Sequence, residues 1–257
     1  MGLHTSFDRR RETKRERRTF AHAYQAERFY TARLRRVADL IGELIRAFHP
    51  FDTESRVRLD EALRSYKRTL TPWAEAVARA MLADVSRRNT RAWRDLSEQM
   101  GFELKREAQT SAWGSMMRTE LARQVDLITS LPNDAAVRVQ KLAVGQIYGG
   151  DRGEDLVKQI FRTGEVTRAR ADLIARTEVG RASSTMLKAR AVEFGSEGYI
   201  WRTAHDRDVR PLHRKLEGTF HEWDDPPVSG ENGERSLPGG IYNCRCYAEP
   251  VIPTEFT

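Results

Sequence analysis

The first strong pattern along the chain is an apolar stripe that begins at Phe20 and ends near Phe48. Apolar residues recur there at steps of three and four positions, and polar residues fill the steps between them. This period matches the turn of an α-helix. The pattern therefore predicts one long amphipathic helix over residues 20–48, closed by Pro50.

Proline and glycine positions divide the next part of the chain into further helices. A second helix is expected over residues 55–69, and Thr71-Pro72 is typical of a helix start, so a third is expected to run to about residue 100. Leu131-Pro132-Asn133-Asp134 is another helix-start signal. Two or three further helices are predicted, around residues 153–161, 168–176 and 177–194, with Gly195 as the C-terminal cap of the last.

The character of the sequence changes at Gly195. Residues 196–257 hold six of the nine prolines and short β-prone pieces such as Tyr199-Ile200-Trp201-Arg202-Thr203. The expected fold class is α+β, with a long-helix N-terminal region followed by a small loop-rich C-terminal domain of short β-strands. The predicted division begins with a basic arm over residues 1–19 and a helical assembly region over residues 20–124. A second helical part over residues 125–194 and the small domain over residues 195–257 follow.

Positive charge is concentrated in the N-terminal part of the chain. Residues 1–100 carry a net charge of +8, whereas residues 101–257 carry −1. Residues 8–18 contain no apolar side chain, so they cannot bury a face and are expected to form an extended arm or a frayed helix. We expect this arm to contact nucleic-acid phosphates or an acidic protein surface through Arg9, Arg10, Arg11, Lys14, Arg15, Arg17 and Arg18.

A simpler interpretation of the basic helices is also open. Cations that stand one helical turn from a carboxylate, as Arg94 does from Glu98, can pair with it on a solvated face. The positive charge of the N-terminal helices therefore has two open interpretations, which are non-specific contact with DNA and a solvated helix face. Sequence-specific readout of DNA is disfavoured, because no recognised DNA-reading motif occurs in the sequence.

Membrane association is not expected. No run approaches the roughly 18 consecutive apolar residues that a membrane span needs. The N-terminus opens with arginines where a signal peptide needs an apolar stretch. The sequence therefore predicts no membrane partner.

Both cysteines of the chain lie in Asn243-Cys244-Arg245-Cys246. In an extended segment a Cys-x-Cys pair places both side chains on one face, where a disulfide would be strained and a shared metal ion is better suited. Tetrahedral zinc needs two further ligands. The candidate zinc ligands are Cys244, Cys246 and His213, and the fourth is one of His205, Asp206 and Asp208.

Two alternatives to a metal site stay open. In the first, the cysteines are small buried residues on a strand, and His213 is hydrogen-bonded to Asp206 to hold a loop. In the second, the cluster is catalytic. A zinc deaminase is disfavoured, because its His-x-Glu and Cys-x-x-Cys motifs are absent. A cysteine nucleophile could use His213 as its base, but no oxyanion site is indicated, and phosphate-binding and nucleophile-elbow motifs are also absent.

Several separate motifs in the second half of the chain occur in a characteristic order. They begin with Ile174-Ala175-Arg176-Thr177-Glu178 and Arg181-Ala182 and end with Asn243-Cys244-Arg245-Cys246. Between these lie Trp201-Arg202-Thr203-Ala204, Asp206, Val209-Arg210-Pro211, His213, Leu216, Gly218 and Pro238-Gly239. Over about residues 125–252 the chain thereby resembles the Mu F-like head morphogenesis family, which are minor head proteins of tailed bacteriophages.

The resemblance implies a low-copy minor capsid protein of the virion, at the portal and the capsid interior, that is in the host cytoplasm during assembly. We therefore expect a structural function and no enzymatic activity. Its implied partners are the portal protein, other head proteins and packaged DNA. From the long early helices we also expect packing against a partner or another copy of the chain on the portal. The family pattern marks Asp206, Arg210, His213, Cys244 and Cys246, and it also includes the structural motif residues Arg176, Thr177, Glu178 and Gly218.

Two other functions remain as alternatives at this point. The C-terminal domain could be a nuclease-like or other hydrolytic enzyme with His213 and Asp206 as acid and base. The whole protein could instead be a non-specific DNA-binding module. Zinc is the one cofactor that the sequence suggests.

Overall fold

The structure is a computed structural model that describes residues 20–48, 53–100, 111–149 and 153–253. The predicted basic arm, with its seven cations, lies outside the described residues. The fold is α+β and mostly helical, as expected. Its elements in chain order are α1 (Tyr24–Ala47), α2 (Thr53–Met100), α3 (Ser111–Gly149), α4 (Gly153–Phe161), α5 (Thr163–Glu193), β1 (Gly198–Arg202), α6 (Pro211–Leu216), β2 (Phe220–Glu222) and β3 (Tyr247–Val251).

The described residues divide into two compact units. The helical unit comprises residues 28–48, 53–81, 119–149 and 153–175. The sheet unit comprises residues 20–27, 82–100, 111–118 and 176–253. The division of the sequence at residues 19, 124 and 194 stays a prediction. No helix of the described part is long and apolar enough to cross a membrane.

The helical unit is built on the apolar stripe of α1. Within that stripe Tyr30, Leu34, Ile41 and Ile45 are all 1% exposed or less. These positions are separated by four, seven and four residues, so they face the same side of the helix. The predicted first helix is confirmed, although it begins four residues later than expected.

The predicted helix break at Pro72 is wrong, because α2 continues through it. An interior proline removes one backbone hydrogen bond and costs about 3 kcal/mol. Leu70, Ala74 and Val77 are buried on either side of it. Burying one large aliphatic side chain contributes about 1.5–3 kcal/mol, so a continuous buried face offsets the cost of the proline.

The other two predicted interruptions are wrong for the same reason. Helix α3 continues through Pro132, which is flanked by the buried Leu131 and Ala135. Helix α5 continues through the expected boundary at residues 176 and 177, where Ala175 and Thr177 are both buried. The predicted helix over Gly153–Phe161 is confirmed as α4.

Helix α5 ends as its sequence predicts. Gly195 has a φ of 74°, in the left-handed region that glycine adopts without strain. Its N–H donates to the carbonyl of Val192, and the N–H of Ser196 donates to the carbonyl of Ala191. These two bonds form a Schellman motif. The chain then turns into the first strand of the sheet.

The sheet unit contains three antiparallel strands in the order β2-β1-β3. Strand β1 is central, and its Trp201 lies opposite Ala248 of β3. Tyr199 and Trp201 are fully buried. They anchor an apolar core whose other members are Trp93, Leu96, Leu187, Ala191, Phe194, Trp223, Cys244, Cys246, Ala248 and Ile252. The short strands predicted after Gly195 are therefore confirmed.

Helix α5 packs against the Pro238-Gly239-Gly240 loop at very short range. Ser184 donates a hydrogen bond to the carbonyl of Pro238, and Arg181 donates one of 3.1 Å to the carbonyl of Gly240. A Cβ atom placed on Gly180 would lie 2.7 Å from the carbonyl oxygen of Gly239. Gly180 is therefore required by the close approach of two backbones.

We predict opposite effects for two helical Gly→Ala substitutions. Gly180→Ala should lower the free energy of unfolding by about 1–3 kcal/mol, because its methyl group meets backbone that cannot move away easily. Gly114→Ala is the matched control in α3, where the nearest atom is the end of the flexible Arg118 side chain at 3.5 Å. It should raise stability by up to about 1 kcal/mol. Urea unfolding measures both, and equal effects would contradict the packing described.

Candidate functional site

Three side chains that the sequence separates by up to 33 residues meet in the sheet unit. His213, Cys244 and Cys246 place their ligand atoms within 4.8 Å of one another. The Nδ1 atom of His213 lies 3.5 Å from the Sγ of Cys244 and 3.5 Å from the Sγ of Cys246. All three residues are buried, and both cysteines are free thiols. We call these three residues the His-Cys-Cys cluster.

The ring of His213 is fixed by its other nitrogen. His213 lies in the short helix α6, which has Pro211 at its start. Nε2 lies 2.9 Å from the backbone carbonyl oxygen of the buried Ser229. A carbonyl can only accept, so Nε2 carries a proton and donates it. In the neutral ring, Nδ1 therefore presents a lone pair to the two sulfur atoms.

The two cysteines come directly before β3, in a turn that begins at Ile241. The N–H of Cys244 donates to the carbonyl of Ile241 over 3.0 Å. Asn243 has a φ of 58°, which is uncommon for a residue with a side chain. The N–H of Cys246 points at the Sγ of Cys244 over 3.4 Å. This conformation directs both thiols to the same side of the chain.

The turn is held from helix α5 by the Arg176-Thr177 motif. Arg176 donates a hydrogen bond of 3.1 Å to the side-chain oxygen of Asn243. The N–H of Asn243 donates to the hydroxyl of Thr177 over 3.4 Å. Arg176 also pairs with Glu27 at 3.1 Å. Two motifs that are 66 residues apart thus meet at the residue with the unusual backbone angle.

Two further arginines hold the same turn from other directions. Arg210 donates a hydrogen bond of 2.8 Å to the carbonyl of Tyr242. Arg245, which lies between the cysteines, pairs with Asp206 at 2.9 Å and with Asp208 at 3.1 Å. We call the contacts made by Arg176, Thr177, Arg210 and Arg245 the turn clamps. They stabilise the segment 242–246 in the conformation that brings both thiols to His213.

The two remaining motif residues have structural surroundings. Glu178 is buried, and it lies 3.4 Å from Arg181 of the next helical turn. Gly218 has a φ of 77°, and its N–H donates to the carbonyl of Trp201 over 2.8 Å. The turn between α6 and β2 therefore needs a residue that adopts the left-handed region without cost.

Contacts inside the cluster change the proton affinities of its members. A hydrogen bond from Cys246, followed by the contact with His213, lowers the pKa of Cys244 well below that of a free thiol. The same shared hydrogen bond, with burial, raises the pKa of Cys246. Burial disfavours the imidazolium of His213, but the neighbouring Cys244 outweighs it and raises the pKa of His213. The cluster therefore favours the thiolate form of Cys244 and the neutral thiol form of Cys246.

Three of the six candidate metal ligands, His205, Asp206 and Asp208, lie outside the cluster. His205 has an exposed side chain and lies 3.6 Å from Glu217. Asp206 pairs with Arg245 and accepts a hydrogen bond from the N–H of Asp208. The alternative hydrogen bond between His213 and Asp206 is wrong, because the backbone of Ser229 takes that role. The expectation that the cysteines lie on a strand is also wrong, since β3 begins at Tyr247.

Sequence reasoning did not identify Ser229 or Tyr242. Each contributes a backbone carbonyl, which leaves no signature in the sequence. The pairing of Arg245 with Asp206 and Asp208 did have a signal. A lone cation between two buried thiols needs a partner, and two acidic residues two positions apart lie in the motif that precedes it.

We predict that replacing His213 destabilises the protein and that replacing His205 does not. His213→Ala should lower the free energy of unfolding by about 2–4 kcal/mol, because it leaves a cavity and an unpaired buried carbonyl at Ser229. His205→Asn is the matched control, since asparagine tolerates the left-handed backbone at this exposed position. It should change stability by less than about 0.5 kcal/mol. Urea unfolding measures the stability of both variants. A loss of stability confined to His205→Asn would contradict the contacts described for the two histidines.

Comparison with known proteins gives two sequence matches. Residues 138–249 match the family described as Phage Mu protein F like protein. An uncharacterized protein of Haemophilus influenzae is 27% identical over 205 residues, which cover 79% of this chain. The chain spans 45% of the length of that relative. No solved structure matches the chain.

The matched region contains every member of the His-Cys-Cys cluster and all four residues of the turn clamps. It also lies inside the region, residues 125–252, over which the sequence motifs suggested the resemblance. The resemblance is therefore confirmed, and it rests on the match of residues 138–249 to the Phage Mu protein F like family.

Proposed function

We propose that this chain is a structural protein of tailed-phage head morphogenesis. The observation that carries the proposal is the family match, which coincides with the His-Cys-Cys cluster and the turn clamps. In this region the polar side chains of the motifs bind one another and nearby backbone. They maintain the shape of a small domain, which is the requirement for a part that is assembled into a particle.

The contacts of His213 argue against the hydrolytic alternative. A general base must reach the proton that it removes. His213 is 2% exposed, its Nε2 is bound to Ser229, and its Nδ1 faces the two thiols. Asp206 is engaged with Arg245. His213 is closed off from a substrate and Asp206 is held by Arg245, so we propose that the domain performs no turnover.

The position of the protein in the phage particle is inferred from the family match. We propose a minor capsid protein of the virion that lies at the portal and the capsid interior, and that is in the host cytoplasm during assembly. Its partners would be the portal protein and other head proteins, with further copies of the chain on the portal. The apolar groove of the helical unit, whose lining includes Leu59, Leu63, Val139 and the partly exposed Val57 and Val144, is the surface that suits protein contact.

Contact with packaged DNA is the second candidate function. The first 100 residues carry a net charge of +8. Several exposed arginines of α2, however, already pair with a carboxylate one turn earlier on the helix: Arg58 with Glu54, Arg64 with Asp60, Arg79 with Glu75 and Arg87 with Asp84. This supports the solvated-face interpretation for α2. We therefore propose that DNA affinity resides in the basic arm at residues 9–18.

We predict that the chain is needed to build normal heads. Deleting its gene from the phage or prophage that carries it should give no infectious particles, and supplying the wild-type gene should restore them. His205→Asn should restore them equally, while Gly180→Ala should restore them less well on warming, because it loosens the close contact with Gly239. Plaque titre and electron microscopy of lysates measure this. Complete, filled and infectious particles from the deletion would contradict the proposal.

We predict that DNA affinity depends on the basic arm. Removing residues 1–18 from the full chain should weaken binding to duplex DNA and reduce the steepness with which binding falls as salt rises, because fewer phosphates are neutralised. Fluorescence anisotropy over a salt series measures both quantities. A deletion that leaves the DNA affinity and its salt dependence unchanged would contradict the proposal that the arm binds DNA. The DNA recovered from each titration should be uncut, and cleavage that disappears with His213→Ala would support the hydrolytic alternative instead.

A further inference from the structure

The spacing of the three donor atoms in the His-Cys-Cys cluster matches the coordination sphere of a metal ion. Zinc bonds to imidazole nitrogen are 2.0–2.1 Å long and bonds to thiolate sulfur about 2.3 Å. At a tetrahedral angle these bond lengths place nitrogen and sulfur about 3.6 Å apart. In the structure His213 Nδ1 lies 3.5 Å from each of the two sulfur atoms.

The equality of these two distances is difficult to explain by hydrogen bonding alone. A neutral imidazole whose Nε2 carries the proton has one lone pair, on Nδ1. One lone pair accepts one good hydrogen bond, so a purely hydrogen-bonded ring would favour one thiol over the other. A single ion bound by all three atoms accounts for both contacts.

The surroundings of the cluster are those of bound metal ligands. A histidine that ligates a metal usually donates its other ring N–H to a carbonyl or carboxylate, which fixes the tautomer and the ring orientation. Here the carbonyl of Ser229 has that role over 2.9 Å. The sulfur of Cys244 receives the N–H of Cys246 over 3.4 Å.

The donor set selects the class of metal. Two sulfurs and one imidazole nitrogen suit zinc, whereas calcium, magnesium and manganese prefer carboxylate and carbonyl oxygen. Within the described part of the chain, no carboxylate joins the group of three. We propose that His213, Cys244 and Cys246 bind one zinc ion. This inference goes beyond the proposed function and does not depend on it.

The role of the ion would be structural. The three ligands are 2%, 3% and 5% exposed, so a substrate could not reach the ion without local unfolding. The ion would join helix α6 to the turn before β3, across about thirty residues of loop-rich sequence. A tetrahedral site has a fourth position, and none of His205, Asp206 and Asp208 supplies it, since all three belong to other contacts.

The experiment measures metal content and stability of the full-length protein. Protein purified without added metal should contain about one zinc per chain by elemental analysis. Chelation of the wild-type protein should lower its Tm by at least about 5 °C, and readdition of zinc should restore it. Cobalt in place of zinc should give sulfur-to-cobalt charge-transfer absorption and the intense visible bands of a tetrahedral site.

Two variants test the cysteine ligands, and a third serves as their control. Cys244→Ser and Cys246→Ser should each lose zinc and the charge-transfer absorption, whereas the matched control His205→Asn should keep both. Because a cysteine variant could fail to fold, the chelation of wild-type protein decides the question without any substitution. A folded wild-type protein that contains no zinc and neither binds cobalt nor gains stability from zinc would overturn the proposal. A protein that contains only copper would overturn the choice of metal.

Discussion

The architecture of the sheet unit depends on one constraint, which is that two thiols two residues apart must face the same nitrogen of one buried histidine. An ordinary strand could place both sulfurs on one face, but the cysteines precede β3 and lie in a turn. The turn requires Asn243 at a φ of 58°. A residue with a side chain adopts that angle at a cost, so the surrounding contacts must stabilise it. The hydrogen bonds from Arg176 and Thr177 meet this requirement at Asn243 itself.

This constraint explains why the motifs of the family are distant in sequence and adjacent in space. Arg176 and Thr177 come from α5, Arg210 from the residue before α6, and Asp206 from the loop after β1. Each of them contacts the turn that holds the cysteines. Gly180 of α5 and Gly239 of the loop before the turn let helix and loop approach closely enough for these contacts to form. The motif residues therefore specify a shape, which supports the structural role that we propose.

The sequence allowed the fold class, the first helix, α4, the glycine cap of α5 and the three cluster residues to be predicted, because each leaves a local signal. The wrong predictions concern features that tertiary packing decides. Pro72 and Pro132 are usual helix-start residues, yet buried neighbours on both sides keep their helices continuous. His205 and Asp206 have the chemistry of metal ligands, but Glu217 and Arg245 engage them. The carbonyl of Ser229 could not be foreseen, since any residue offers one.

The reactivity of the two thiols tests the central claim most directly. If the turn clamps hold both sulfurs against His213, a thiol reagent should label folded protein very slowly. Both cysteines should then become reactive together as urea unfolds the protein, because labelling requires the whole turn to open. Rapid labelling of either thiol in the folded protein, at the rate of an exposed cysteine, would contradict the account.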